Sequence, residues 1–218
     1  MANPTIIDVG AHRGDYTAMC LEITPLARIV ACEPHPLSCA ELRRRFSDRS
    51  NISLCETAIA ADVVRRTFYD RSGEQGTSHA SLHRSVIENL HTCEAAEFEV
   101  QATTLDEIAT RFSVDDVDLL KIDTEGSELD VLKGAGGLLR EHRIAVCQIE
   151  FNAMNAYSRV FFKDFWDMLA DFHLFRLLPR GLLPITAYNP LYTEIFAYQN
   201  IIAVSRHHPE RLRILEGL

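Results

Sequence analysis

Residues 5–14 read Thr5-Ile6-Ile7-Asp8-Val9-Gly10-Ala11-His12-Arg13-Gly14. Ile6, Ile7 and Val9 form a short apolar, β-branched run with Asp8 inside it, the pattern of a buried strand. Gly10 and Gly14 bracket a tight turn, and residues 15–22 continue with helical character. A strand that stops at glycines and restarts as a helix lets a ligand approach the backbone and sit near the helix N-terminus. The spacing is Asp-x-Gly-x-x-x-Gly, not the Gly-x-Gly-x-x-Gly of dinucleotide enzymes.

The next βαβ unit supplies the second half of the signal. Arg28, Ile29, Val30, Ala31 and Cys32 read as a second strand that ends at Glu33, just before Pro34. An acid at this strand tip is placed to accept hydrogen bonds from both hydroxyls of a ribose. The competing reading is that Glu33 caps a helix beginning near Pro36. Turn and acid together, at this separation, favour a nucleoside cofactor.

Composition bounds the remaining possibilities. A chain of 218 residues suits one domain, 1–218, with an insert or lid loop at about 62–97 and an acceptor-side loop at about 179–198. The net charge is −9, and Arg43-Arg44-Arg45 is the one dense basic run, which argues against a large nucleic-acid substrate. No apolar segment approaches the ~20 residues of a membrane span, so membrane insertion is not expected. The N-terminus lacks a basic region followed by an apolar core, so no signal peptide is expected. The six cysteines are scattered without a C-x-x-C pair, which fits a reducing cytosol and neither a disulfide framework nor a structural zinc site. Nothing in the sequence fixes the oligomeric state.

Taken in order, residues 35–46 read as a helix and 51–60 as a third strand. Residues 63–69 look like a short extra strand that forms a hairpin in place of the next helix. Residues 70–81 are a polar Gly/Ser loop of the kind often used as a lid. A strand over 98–102 precedes a short helix from Leu105, with Thr103-Thr104 as its cap signal. The fourth main strand covers 117–122 and ends in Asp123-Thr124-Glu125-Gly126, followed by a helix over 127–139. A fifth strand over 143–149 ends at Glu150, and 163–172 is an amphipathic helix. A strand over 174–178, a long loop over 179–198 and a last strand over 201–204 complete the chain. The alternation implies an α/β fold, a mostly parallel sheet with helices on both faces and an antiparallel C-terminal edge. Glu33, Asp123, Glu125 and Glu150 all fall at expected strand ends, where ligands of such sheets bind.

The segments Asp8-Val9-Gly10-Ala11-His12-Arg13-Gly14, Glu33-Pro34, Lys121-Ile122-Asp123-Thr124-Glu125-Gly126 and Leu132-Lys133-Gly134-Ala135 together resemble the FkbM-type S-adenosylmethionine-dependent methyltransferases. The closing Glu194-Ile195-Phe196 and Asn200-Ile201-Ile202-Ala203-Val204 are also similar to that family's C-terminal strand. The resemblance implies a Rossmann-like seven-stranded methyltransferase sheet. It also implies methyl transfer to a hydroxyl of a small-molecule or carbohydrate-like acceptor, with S-adenosylhomocysteine as co-product. His12 departs from the asparagine common in the family, and the loop 76–81 matches its Ser-rich loop only loosely.

The same resemblance implies roles. Asp8 and the turn carrying Gly10, Ala11, His12 and Gly14 hold the methionine end and sugar of the cofactor, Glu33 takes the ribose hydroxyls, and Ala58 flanks the adenine. A small residue at a tight strand end explains Ala58 equally well. Asp123 is expected both at the cofactor and at the acceptor. Glu125 is either a catalytic acid or a cap of the following helix. Glu150 closes a carboxylate cluster with Asp123 that either binds Mg²⁺ or raises a pKa to make a base; both readings stay open, and no residue is assigned to a metal. Lys121, in a strand interior, is expected in an ion pair. His79 is a candidate base in the Gly/Ser loop, while His35, His83, His91, His142, His173, His207 and His208 show no ligand spacing. Tyr157, Phe161, Phe162, Tyr188, Tyr192, Phe196 and Tyr198 either stack on an acceptor or cover the core. Gly134 to Gly137 end a helix and do not form a phosphate loop. Two rival functions are an NAD(P)-dependent Rossmann oxidoreductase, disfavoured by the first turn, and a non-catalytic interaction module that keeps a methyltransferase-like fold.

Overall fold

The computed structural model describes residues 3–73 and 76–216. Glu74 and Gln75, within the Gly/Ser loop, lie outside the described residues.

Strand β1 (Thr5–Val9) leads to α1 (Asp15–Ile23), β2 (Arg28–Cys32) to α2 (Pro36–Arg45), and β3 (Ile52–Cys55) follows. Next come β4 (Ala58–Ile59), β5 (Val64–Arg71), a π-helical turn over Val86–Leu90 and β6 (Ala95–Thr103). The chain continues through α3 (Leu105–Arg111), β7 (Leu119–Ile122), α4 (Glu128–Lys133), α5 (Gly136–Arg140) and β8 (Val146–Phe151). It closes with α6 (Ala153–Ser158), α7 (Phe162–Met168), β9 (Phe172–Leu177), β10 (Leu182–Ile185), α8 (Pro190–Thr193), β11 (Gln199–Ser205) and α9 (Pro209–Glu216).

The main sheet has eight strands in the order β10-β9-β11-β8-β7-β1-β2-β3. Side chains of β1 alternate between its faces. Ile7 and Val9 join the cluster formed with α3, α4, α5 and α7, whereas Ile6 packs with Cys20 and Leu21 of α1. Strand order reverses between β1 and β7, which pair in parallel from Ile6↔Leu119 to Val9↔Ile122. The carboxyl ends of β1, β2 and β7 therefore open onto one crevice, the place where such sheets bind ligands.

Several expected elements differ from those found. Residues 51–60 are not one strand: after Cys55 the chain leaves the main sheet, and β4 pairs in parallel with β6 (Ala58↔Ala102). The extra strand β5 makes no hairpin with the third strand; it pairs antiparallel with β6, from Val64↔Ala102 to Arg71↔Ala95, forming a separate three-stranded sheet. The main sheet gains its eighth strand because β10, inside the stretch read as a loop, pairs antiparallel with β9. Pro184 is tolerated there because an edge strand can leave an N–H position unused. The expected antiparallel C-terminal edge is present as β11, β9 and β10, but its last strand in sequence is not outermost: β11 runs between β8 and β9, antiparallel to both. Its Ile201, Ile202, Ala203 and Val204 are all buried, the composition of a strand covered on both faces. The helix expected over 127–139 splits at Gly134, where a Cβ would stand 2.1 Å from the Ala60 carbonyl oxygen. Helices α6 and α9 had no counterpart in the sequence reading.

Candidate active site

The crevice is built first from the turn after β1. The amides of Gly10 and Ala11 both donate to the Cys32 carbonyl, at 3.0 and 3.1 Å, which ties the turn to the end of β2. Gly10 has φ +80°, and a Cβ there would lie 1.7 Å from the Asp123 carbonyl oxygen. Gly14, at φ +84°, starts α1; a Cβ there would strike Phe46 and Leu42 at 2.5 and 2.7 Å. Glycine is thus demanded at Gly10 by the backbone of β7 and at Gly14 by the packing of α2.

Glu33 stands at the end of β2 and is buried. Its Oε2 accepts the His12 amide at 2.9 Å and its Oε1 the His35 amide at 2.8 Å. Burial pushes its carboxyl up to about 7, a rise that these two N–H groups only partly oppose. Glu33 does not cap α2. His35 does, accepting the Leu37 amide on Nδ1 at 3.2 Å.

The Gly/Ser loop is fastened down where it meets this turn. Asp70, fully buried, accepts the amides of Gly76 at 2.6 Å and Thr77 at 3.2 Å, and stands 3.3 Å from His35 Nε2. Burial alone would raise its pKa, but the donors from His35, Thr77 and Arg71 outweigh it and hold the carboxyl well below the usual range. The Gly76 carbonyl also meets His12 Nε2 at 3.0 Å and accepts from Arg13 at 3.2 Å. His12, the departure from the family pattern, therefore bridges Glu33 and the loop.

A second set of charges lies between β1 and β7. Lys121 Nζ is 3.1 Å from Asp123 Oδ2 and 3.6 Å from Asp8 Oδ1, and Asp8 Oδ2 accepts the Thr17 hydroxyl at 2.7 Å. The expected ion pair of Lys121 is thus present, shared between two acids. Burial raises the Asp8 pKa, and Lys121 and Thr17 offset that only in part. Burial disfavours the Lys121 charge, yet Asp8 and Asp123 outweigh it and raise its pKa.

Asp123, Glu125 and Glu150 each place a carboxylate oxygen within 4.8 Å of the others. Burial, and then the charges of Asp123 and Glu125, push Glu150 up to about 9. Glu125 adopts φ +55° and, turned away from α4, lies 3.6 Å from His79 Nδ1. The helix-capping reading of Glu125 is therefore not realised. Glu128 takes that place: its Oε1 accepts the amides of Thr124 and Gly126 at 3.0 Å, and its Oε2 accepts Asn155 Nδ2 at 3.0 Å.

Val9, Gly10, Glu33, Ala58, Phe68 and Asp123 are among the residues lining the resulting cleft. Next to it is an opening lined by Tyr16, Lys121, Gln148 and Asn200. Tyr16 donates to Gln148 at 2.9 Å and Gln148 to Asn200 at 3.0 Å. The structure brings together Asp8, Gly10, Ala11, His12, Glu33, Ala58, Asp123, Glu125, Glu150 and His79, while Gly14 sits one step back against α2. The aromatics divide: Phe162 is core and Phe196 packs on Phe151, whereas Tyr192 and Tyr198 are exposed.

The sequence reading missed Glu128, Asn155, Gln148 and Asp70. Glu128 had a visible signal, an acid in the first turn of the helix after the Asp-Thr-Glu-Gly block. Gln148 had another, a polar side chain inside an apolar strand.

The model of the FkbM methyltransferase domain matches residues 8–177, most of the chain, from the end of β1 through β9. The chain belongs to the FkbM methyltransferase family. This FkbM-family chain is 24% identical over 188 residues to the 2-O-methyltransferase NoeI of Sinorhizobium fredii, covering 83% of itself and 76% of that protein. It is 26% identical over 157 residues to the methyltransferase sdnD of Sordaria araneosa, covering 61% of each chain. Among solved structures it shares its fold with the Methanococcus jannaschii fibrillarin pre-rRNA processing protein, at a TM-score of 0.50, 12% identity and coverage of 94% and 67%. The METTL16 methyltransferase domain has the same TM-score of 0.50, with 10% identity and coverage of 94% and 60%. The enzyme is thus a methyltransferase with a Rossmann-like sheet.

Proposed function

We propose that this chain, folded as one domain over 1–218, is an S-adenosylmethionine-dependent O-methyltransferase that acts on a hydroxyl of a small-molecule or carbohydrate-like acceptor. The observation that carries the reading is the convergence of the Gly10 turn, Glu33 and Asp123 on one cleft at the strand-order reversal. The residues fit the cofactor. A Cβ at Gly10 would fill the backbone cradle, and each Glu33 oxygen accepts one backbone amide, leaving lone pairs for two ribose hydroxyls. In this reading Asp8, through Lys121 and Thr17, stiffens the turn, and Gly10, Ala11 and His12 present it to the methionine end. Ala58 flanks the adenine beside Phe68. The bound cofactor would supply an electrophilic methyl group.

What remains for the protein is alignment and help for a weak nucleophile. Asp123, at the mouth of the cleft, is placed to meet the acceptor hydroxyl. Glu150, kept protonated by burial and by the charges of its neighbours, is a hydrogen-bond donor at neutral pH, and Glu125 and His79 lie on the lid side. The exposed Tyr192 and Tyr198 belong to the acceptor-side loop and supply faces for an acceptor to stack on. The name of NoeI supports oxygen as the acceptor atom, and the free cysteines support a reducing cytosol.

Calorimetric titration with S-adenosylmethionine and S-adenosylhomocysteine tests the reading. Saturable binding near ~1 μM, about −8 kcal/mol, is expected, weakened at least tenfold in Glu33→Ala. A folded protein that binds neither, or that instead changes the fluorescence of NADH, would contradict it.

A further inference from the structure

We infer that His79, His91 and Glu125 form a binding site for one divalent ion of the zinc class at the edge of the cleft. The three residues come from separate segments: the loop after β5, the end of the π-helical turn, and the turn between β7 and α4. One donor atom from each lies within 4.8 Å of the other two.

The state of the side-chain atoms is what points to a ligand. His79 Nδ1, His91 Nε2 and Glu125 Oε2 are all buried, and none has a hydrogen-bond partner among the described residues. Buried polar atoms are nearly always satisfied, and each one left alone calls for an explanation. Here three atoms that can each offer a lone pair stand together, none of them in a hydrogen bond of ordinary length. The nearest approach, His79 Nδ1 to Glu125 Oε1, is 3.6 Å, and the two imidazole rings lie 4.3 Å apart. Glu125 holds this position with φ +55°, a conformation that non-glycine residues adopt where something else compensates.

The donor set selects the ion. Two imidazoles and one carboxylate make the His₂-carboxylate set of catalytic zinc sites, which leave one position open. Magnesium and calcium prefer oxygen donors throughout. The neighbouring all-carboxylate group of Asp123, Glu125 and Glu150 shares Glu125 and supplies no imidazole. A third group, His142, Asp171 and His207, lies elsewhere, with its two imidazoles stacked at 3.5 Å.

Glu125 lines the cleft beside Asp123, Thr77 and Ser78, so an ion held by His79, His91 and Glu125 would lie at the edge of that cleft. Bound there, such an ion would supply Lewis-acid chemistry that acidifies a hydroxyl, the help a weak nucleophile needs. This use rests on the methyltransferase reading; the existence of the site does not.

Equilibrium dialysis against Zn²⁺, with bound metal counted by mass spectrometry, tests the site. The proteins compared are wild type, His91→Ala, His79→Ala, Glu125→Gln and, as control, His142→Ala, each checked for folding by circular dichroism. One ion per wild-type chain is expected, with affinity lowered at least tenfold in the three site variants and unchanged in His142→Ala. Co²⁺ in place of Zn²⁺ should show the visible absorption of a nitrogen-ligated low-coordinate ion, lost in whichever site variants fold. Absence of stoichiometric Zn²⁺ on folded wild type overturns the proposal, as does binding lost in His142→Ala and kept in His91→Ala. Calorimetry with S-adenosylhomocysteine on the same samples separates the two readings. Metal without nucleoside binding would leave the site standing and the methyltransferase reading refuted, and the reverse would refute the site alone.

Discussion

The Cα of Gly10 faces the carbonyl oxygen of Asp123 so closely that a Cβ would sit 1.7 Å from it. That contact sets the spacing between the first turn and the end of β7, and so the shape of the cleft. Because the obstacle is backbone, no rotamer change relieves it. Gly10→Ala is expected to cost more than about 3 kcal/mol, combining a clash with a forced positive φ. Urea unfolding checks this, and an unchanged midpoint would contradict it.

Lys121 compensates two acids, one of them fully buried. Lys121→Met leaves Asp8 without its counter-charge and is expected to destabilise by about 3–5 kcal/mol. Adding Asp8→Asn should recover a large part of the loss, because the uncompensated charge is then gone. A double-mutant cycle in thermal unfolding measures the coupling; simple additivity of the two effects would rule out a direct partnership.

Glu128 holds the turn after β7 by accepting from Thr124, Gly126 and Asn155. Glu128→Ala strands those donors in a buried place and is expected to cost about 2–4 kcal/mol. Asn155→Ala removes one of these bonds and should cost about 1–2 kcal/mol. Both are read by chemical denaturation, and equal effects would mean that the turn does not depend on the carboxylate.

Glu33 carries a pH signature. Its pKa is raised from 4.5 to about 7 by burial, so the folded state holds the proton more tightly than the unfolded chain. The stability that this contributes is complete below pH 4.5 and is lost as pH rises through about 7, a change on the order of 3 kcal/mol. Glu33→Gln should flatten the fall in melting temperature over that window. Ribose hydroxyls donating to the carboxylate favour its ionised form, so nucleoside affinity should rise with pH over the same range. A wild-type affinity that fell with pH would count against that contact.

Local pattern was enough to place β1, its glycine turn, β2 with Glu33, and the strand-end acids, since each is written in consecutive residues. Strands β1, β2, β7 and β8 are short apolar runs buried by any arrangement of the chain, and turn glycines announce themselves by spacing. The pairing of strands was not legible in this way. Whether β11 lies at an edge or between β8 and β9 depends on which hydrogen-bonding edges remain open when the chain returns. The diversion of β4 into a second sheet depends on a partner, β6, more than 30 residues later. For the same reason the capping role offered to Glu125 belongs to Glu128, another acid at the same helix start. In the fold Glu125, at φ +55°, lies beside His79 while Glu128 gathers the amides. His91 showed no ligand spacing along the chain because its neighbours, His79 and Glu125, reach it through folding alone. Short-range residue chemistry therefore settled the family, the glycine turn after β1 and the strand-end acids. Which acids and histidines face one another was decided by long-range packing, because side-chain encounters between distant segments carry no periodicity in sequence.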